Sequence, residues 1–231
     1  MIQIIALLVI SWILLWLFTK KDLAVLGLVP TGSRMKYFVI LLSVSALLSA
    51  SAFLLRMYYI QEKYVMVQTL RLPSVLLETW YQFRQVFTEE LLCRGALLYI
   101  LIKKAGKQWA IIISSVVFAA LHWFNEGVWG NGMQMIIVFS FTCIMGLLLA
   151  YAYVRTFSLL VPLAIHLGWN ITQNYIFPGS ETGPHIFVLA GTPPTVTISY
   201  LAFFTMLLFP KISVLLVDFF IVKTHRPVAM P

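Results

Sequence analysis

The stretch Thr88-Glu89-Glu90-Leu91-Leu92-Cys93-Arg94-Gly95 sets two adjacent carboxylates and a guanidinium inside an apolar run. An ionisable group in a lipid-facing or deeply buried helix must face a protein interior or a water cavity and find a partner, so such a group points to function. At about 100° per residue, Glu90 and Arg94 share one helix face, whereas Glu89 projects to the side on which Cys93 lies. Arg94 is thus placed to neutralise and orient Glu90, and Glu89 is left to point into a cavity as a base. Taken alone, the motif reads equally well as a buried ion-pair cluster that locks helices together.

Two further helical pairs carry polar chemistry: Phe118 with His122, and His166 with Asn170, each at i, i+4. A lone histidine in a membrane helix is an ordinary packing hydrogen-bonder. Depth argues for more. At about 1.5 Å per residue, Glu89 and His122 lie roughly 20 Å from the cytoplasmic ends of their spans, Asn170 roughly 18 Å and His166 roughly 12 Å. A carboxylate, two imidazoles and an amide in one layer suit hydrolysis. Glu89 and His122 would activate water, and a second polar pair would hold the developing oxyanion. The same donors, Glu89, His122 and His166, could instead ligate Zn²⁺ with water in the fourth position. The His-Glu-x-x-His spacing of many zinc hydrolases is absent. A carboxylate beside a second carboxylate in a desolvated cavity holds a proton readily, which favours a base acting without metal and hence no cofactor.

The elements that must position these residues are membrane helices. The chain has 231 residues, of which 61% are hydrophobic and 10% charged, with mean hydropathy +0.93. Those values exclude an ordinary soluble domain. The fold expected is all-α, a single polytopic transmembrane bundle over 1–231 with about seven spans. The spans read as 2–18, 35–60, a helix from Ser74 to 102, 109–124, 133–153, 158–176 and 195–209. Pro73 stands just ahead of the third helix, where a proline is tolerated. Pro210 should bend or end the seventh span, leaving 212–222 as a continuation or an interfacial helix. The first apolar run has its charges, Lys20 and Lys21, after it and no cleavage site, so it reads as a retained span rather than a signal peptide. Cys93 and Cys143 sit in apolar helices and suggest neither a disulfide nor a thiolate metal site.

The formal charge of +8 does not imply nucleic acid, because Lys and Arg cluster at helix ends. Alternate loops carry Lys20, Lys21, Arg34, Lys36, Lys103, Lys104, Lys107, Arg155, Lys223 and Arg226 on one side, and Lys63, Arg71 and Arg84 on the other. This bias puts the N-terminus outside and the C-terminus in the cytoplasm.

The blocks Glu89-Glu90-x-x-x-Arg94, Phe118-x-x-x-His122 and His166-x-x-x-Asn170, in this order on successive apolar segments, resemble the CPBP family. That family includes type-two CAAX prenyl proteases, lysostaphin-resistance-like proteins and bacteriocin-immunity or abortive-infection-like proteins. The resemblance covers roughly 74–176. It implies an intramembrane endopeptidase in which Glu89 and His122 activate water, His166 and Asn170 stabilise the oxyanion, and Glu90 and Arg94 support the site. It leaves metal dependence open. Cys93 departs from the aromatic residue usual before Arg-Gly in bacterial members, and altered packing is expected there. The partners implied are the lipid bilayer and a peptide or membrane-protein substrate, and the compact chain with short basic loops looks bacterial or archaeal. A non-catalytic immunity or scaffold protein that binds a peptide or a cell-wall enzyme is the competing reading.

Overall fold

In a computed structural model, residues 2–68, 70–177, 185–192 and 195–231 are described. Among them the chain is almost entirely helical: α1 (Ile2–Thr19), α2 (Gly32–Tyr59), α3 (Leu72–Arg94), α4 (Ala96–Leu121), α5 (Gly132–Thr156), α6 (Leu160–Ile171) and α7 (Tyr200–Thr224). Two three-residue strands, β1 (Tyr64–Met66) and β2 (Phe187–Leu189), pair antiparallel. Side chains such as Trp16, Leu47, Ile136 and Phe203 lie about half to three-quarters exposed along the helices, as lipid-facing positions must.

Five helical runs are long and apolar enough to cross a membrane: Ile2–Thr19, Gly32–Tyr59, Leu72–Phe124, Gly132–Thr156 and Tyr200–Thr224. The expectation was about seven. The difference lies in two places. Leu72–Phe124 counts as one run of 53 residues, although its helical backbone is broken at Gly106 (φ 81°, ψ 166°) within the basic segment expected to turn. The sixth expected span divides into α6, only 12 residues long, and a π-helical turn at Thr172–Ile176. The seventh differs at its start: α7 begins at Tyr200 rather than 195, and it runs through Pro210 to Thr224, so 212–222 is the continuation and not a separate interfacial helix. A proline inside a membrane helix is tolerated where other groups meet the carbonyls around it. Beside it the Lys211 ammonium donates to the Leu207 carbonyl and the Ser213 hydroxyl to the Pro210 carbonyl, while the carbonyl that loses its helical donor to Pro210 is that of Met206. Most of the loop expected at 177–194 lies outside the described residues.

The described chain divides into two compact units. The first comprises Met1–Phe38, Phe87–Leu163 and Ile221–Pro231. Its core joins Leu15, Leu26, Leu91, Leu98, Tyr99, Tyr153 and Phe157, all at most 2% exposed. α4 and α5 touch closely at Gly146, where an added Cβ would come 3.0 Å from the Ser115 backbone. The tail is strapped to the same unit by Arg155, whose guanidinium donates to the carbonyls of Lys223 and His225 at 2.8 and 3.1 Å.

The second unit comprises Val39–Val86 and Ala164–Phe220. In it α2 and α6 meet backbone to backbone at Gly168, where a Cβ would stand 2.5 Å from the Leu42 carbonyl oxygen and 3.1 Å from the Ala46 nitrogen. Small residues permit this approach, and side-chain hydrogen bonds lock it. Thr172 donates to the Ala46 carbonyl, Ser49 to the Trp169 carbonyl, and Gln173 to both the hydroxyl and the carbonyl of Ser49. Ser45, whose Cβ also borders Gly168, donates its hydroxyl to the fully buried Asp218 carboxylate of α7 at 2.6 Å.

Candidate active site

The glutamate motif ends α3, and its geometry follows from one residue. At Gly95 the chain leaves helical conformation (φ −76°, ψ −130°) before α4 begins. A Cβ there would stand 2.1 Å from the Leu91 carbonyl oxygen, so only glycine fits. The hydrogen bonds from the Gly95 amide to Leu91 and from the Tyr99 amide to Gly95 still span the step. The chain thus changes direction immediately after Arg94 without leaving buried amides unsatisfied.

Glu90 and Arg94 form the expected pair, at 3.1 Å, with both side chains wholly buried. Arg94 is held from two further sides. Its second terminal nitrogen donates to the Gly146 carbonyl of α5 at 3.4 Å, and its guanidinium lies 4.0 Å from the centre of the Phe118 ring on α4. One cation therefore ties α3, α4 and α5 together. Arginine suits this task because its planar group can stack on a ring while its edges donate. Ser114 adds a bond from α4 to the Cys93 carbonyl at 2.9 Å. Cys93 itself is fully buried.

The Phe118 ring connects this anchor to His122. The two rings meet edge to face at 4.5 Å, and His122 Nδ1 lies 2.8 Å from the Phe118 carbonyl oxygen. A carbonyl can only accept, so Nδ1 carries hydrogen, and in the neutral ring Nε2 is then the nitrogen with the lone pair. His122 stands where α4 gives way to a 3-10 turn, His122–Phe124. Glu89 and His122 are both half-buried, in contrast to the sealed Glu90 and Arg94.

His166 and Asn170 lie on α6 within the second unit, His166 buried at 4% exposure and Asn170 half-buried. The α2 seam grips the backbone between and beside them, at Gly168, Trp169 and Thr172. Their helical period is interrupted one residue after α6 ends by the π-helical turn, a feature found at many functional sites.

Among the described residues, no group of three or more His, Cys, Asp or Glu side chains is disposed to hold a metal ion.

Several supporting residues were not visible in the motif reading. Gly95, Ser114 and the Gly146 carbonyl carry no sequence signature, because each acts through backbone geometry or a contact distant in sequence. Asp218 did have one, a lone carboxylate in the apolar run 212–222.

Residues 71–172 match the family described as Type II CAAX prenyl endopeptidase Rce1-like. No curated protein and no solved structure matches the chain.

Proposed function

We propose, for a chain that belongs to the Rce1-like type II CAAX prenyl endopeptidase family, an intramembrane peptidase in which Glu89 and His122 activate water and His166 and Asn170 receive the oxyanion. The observation that carries this reading is the Glu90–Arg94–Phe118–His122 relay of contacts. It orients one imidazole and leaves the neighbouring Glu89 outside the sealed ion pair. A mere helix lock would need no imidazole held in a defined tautomer at a half-buried helix end.

The chemistry follows from these groups. Glu89 accepts a proton from water as the water oxygen bonds to the scissile carbonyl carbon, and His122 holds that water through a ring whose Nδ1 is already committed to Phe118. The carbonyl electron pair moves to oxygen, where the His166 ring and the Asn170 amide donate to it. As the tetrahedral intermediate collapses, the C–N bond breaks and Glu89 returns its proton to the leaving amine. Glu90 and Arg94 touch no substrate and act by position.

Seven crossings remain the best account of the basic-residue bias, if Leu72–Phe124 passes the membrane twice about Gly106 and α6 with its π-turn passes once. The N-terminus is then outside, the C-terminus is cytoplasmic, and the site lies in the outer half of the bilayer. The family's name specifies prenylated CAAX proteins. For this chain the substrate class supported is a peptide or membrane-protein segment, with the core of the activity in 74–176.

Purified protein in nanodiscs, assayed against membrane-derived peptides, tests the reading. Glu89→Ala and His122→Ala should each lower hydrolysis by about 10²–10⁴-fold while the thermal melt is retained. Hydrolysis at the wild-type rate in either variant refutes it and favours an immunity or scaffold role.

A further inference from the structure

We propose that the open edge of β1 is a docking strand for an extended peptide, an inference that rests on the peptidase reading and specifies how its substrate is held. The register of the small sheet shows which groups are available. Val67 N–H donates to the Ile186 carbonyl at 3.0 Å and Ala190 N–H to the Lys63 carbonyl at 2.8 Å, with Val65 opposite Val188 between them. Alternate residues of an antiparallel strand direct their amides to opposite edges. Tyr64 and Met66 therefore turn their N–H and C=O groups away from β2, and neither has a backbone partner among the described residues.

Only another extended backbone offers donors and acceptors at the matching two-residue spacing, which is how strand addition recognises peptides of varied sequence. β1 is the edge that can be reached. Val65 is 48% and Met66 61% exposed, whereas all three residues of β2 are half-buried.

An isolated two-stranded sheet is marginal, but this one is braced. Arg56 at the end of α2 grips Glu62 through two bonds of 2.7 and 2.6 Å, and the Tyr64 hydroxyl donates to the same carboxylate. Phe177 stacks on Phe53 and on Phe187 and takes the edge of Tyr64. A strand held this rigidly loses little freedom when a third strand joins it. The sheet is also fixed to the helix of the oxyanion residues. Ile186 N–H donates to the carbonyl of Tyr175, five residues beyond Asn170. A peptide laid on β1 is thereby held by the scaffold that holds Asn170.

The test uses the full chain carrying Glu89→Gln in nanodiscs and a fluorescent nonapeptide of alternating Val and Lys, read by anisotropy. Its twin carries N-methyl groups on alternate residues, which removes pairing amides and leaves every side chain in place. Saturable binding of the parent peptide is expected, with about tenfold weaker binding of the twin. Met66→Pro should weaken the parent about tenfold, because proline deletes only an outward-facing amide and spares the bonds of Val65 and Val67. Met66→Leu should bind as the unaltered chain does. Absence of saturable binding, or a twin that binds within twofold of the parent, overturns the proposal, and the twin decides the matter even if Met66→Pro fails to fold. Dimerisation that Met66→Pro abolishes, with no effect of N-methylation on peptide binding, assigns the edge to a second copy of this chain and also overturns it. The two readings fail separately. If the binding pattern holds but the protein with Glu89 intact cleaves nothing, the docking edge stands and the peptidase falls. Glu89-dependent cleavage indifferent to both perturbations does the reverse.

Discussion

Replacing Arg94 by methionine should be among the most damaging single changes outside the reacting groups. The side chains of Arg94 and Glu90 are 0% exposed and 3.1 Å apart. Removing one member of such a pair strands the other charge in a medium that cannot solvate it, a loss of about 3–5 kcal/mol. The contact with the Phe118 ring and the bond to the Gly146 carbonyl disappear with it, and because all three involve one group their separate values do not add. Against a total stability of about 5–15 kcal/mol, the loss is large. For a chain of this size it corresponds to a fall of roughly 6–20 °C in Tm. Cys93 supplies the probe, since its fully buried thiol becomes reactive to a maleimide dye only when α3 separates from its neighbours. Thermal labelling in a Cys143→Ser background isolates that signal. The double variant Glu90→Gln/Arg94→Met should recover part of the loss, because no charge is then stranded. A single Arg94→Met variant melting within about 2 °C of the parent, equivalent to roughly 1 kcal/mol or less, would refute the buried-anchor argument.

Gly168→Ala would press a Cβ to 2.5 Å from the Leu42 carbonyl oxygen, so α6 must move off α2. A destabilisation of about 1–3 kcal/mol is expected, with kcat falling more than KM rises because His166 and Asn170 flank the displaced residue. Unchanged kcat would show that the seam does not position them. The Arg56 guanidinium, aided by the Tyr64 hydroxyl, holds the Glu62 carboxyl below the usual carboxylate range. Its stabilisation is therefore complete above about pH 4.3, the ordinary glutamate value, and is lost as pH falls through the lower folded value. The difference in Tm between the parent and Arg56→Gln should be constant near neutrality and shrink in acid, and a difference independent of pH down to about 3 would contradict the assignment. Hydrolysis should survive exhaustive chelation, checked by elemental analysis of the same sample. Stoichiometric zinc with activity that chelation abolishes and zinc restores would reverse the choice of a metal-free mechanism.

Much of the site could be read from order and spacing. The i, i+4 relation of Glu90 and Arg94 was enough to pair them, and the same relation placed Phe118 beneath His122, because helical phase is a local property that any context preserves. The apolar composition determined the solvent, and a lipid solvent leaves helices as the main economical structure for the backbone. Local rules served less well at 195–224. Pro210 left the choice open between an end, a bend and a continuation into 212–222, and the structure shows α7 continuing through it.

Only the tertiary structure decided what surrounds the motif. That Arg94 reaches Gly146, 52 residues away, and rests on Phe118 depends on how α3, α4 and α5 pack, which the three blocks do not encode. The β1–β2 pair joins segments more than 120 residues apart, and strands of three residues are too short for their alternation to register as a pattern. The glutamate motif was legible in the sequence because its chemistry is written within one helix turn. Its anchors, the seam at Gly168 and the open strand edge were not, because each is a relation between backbones that meet only after the chain has folded.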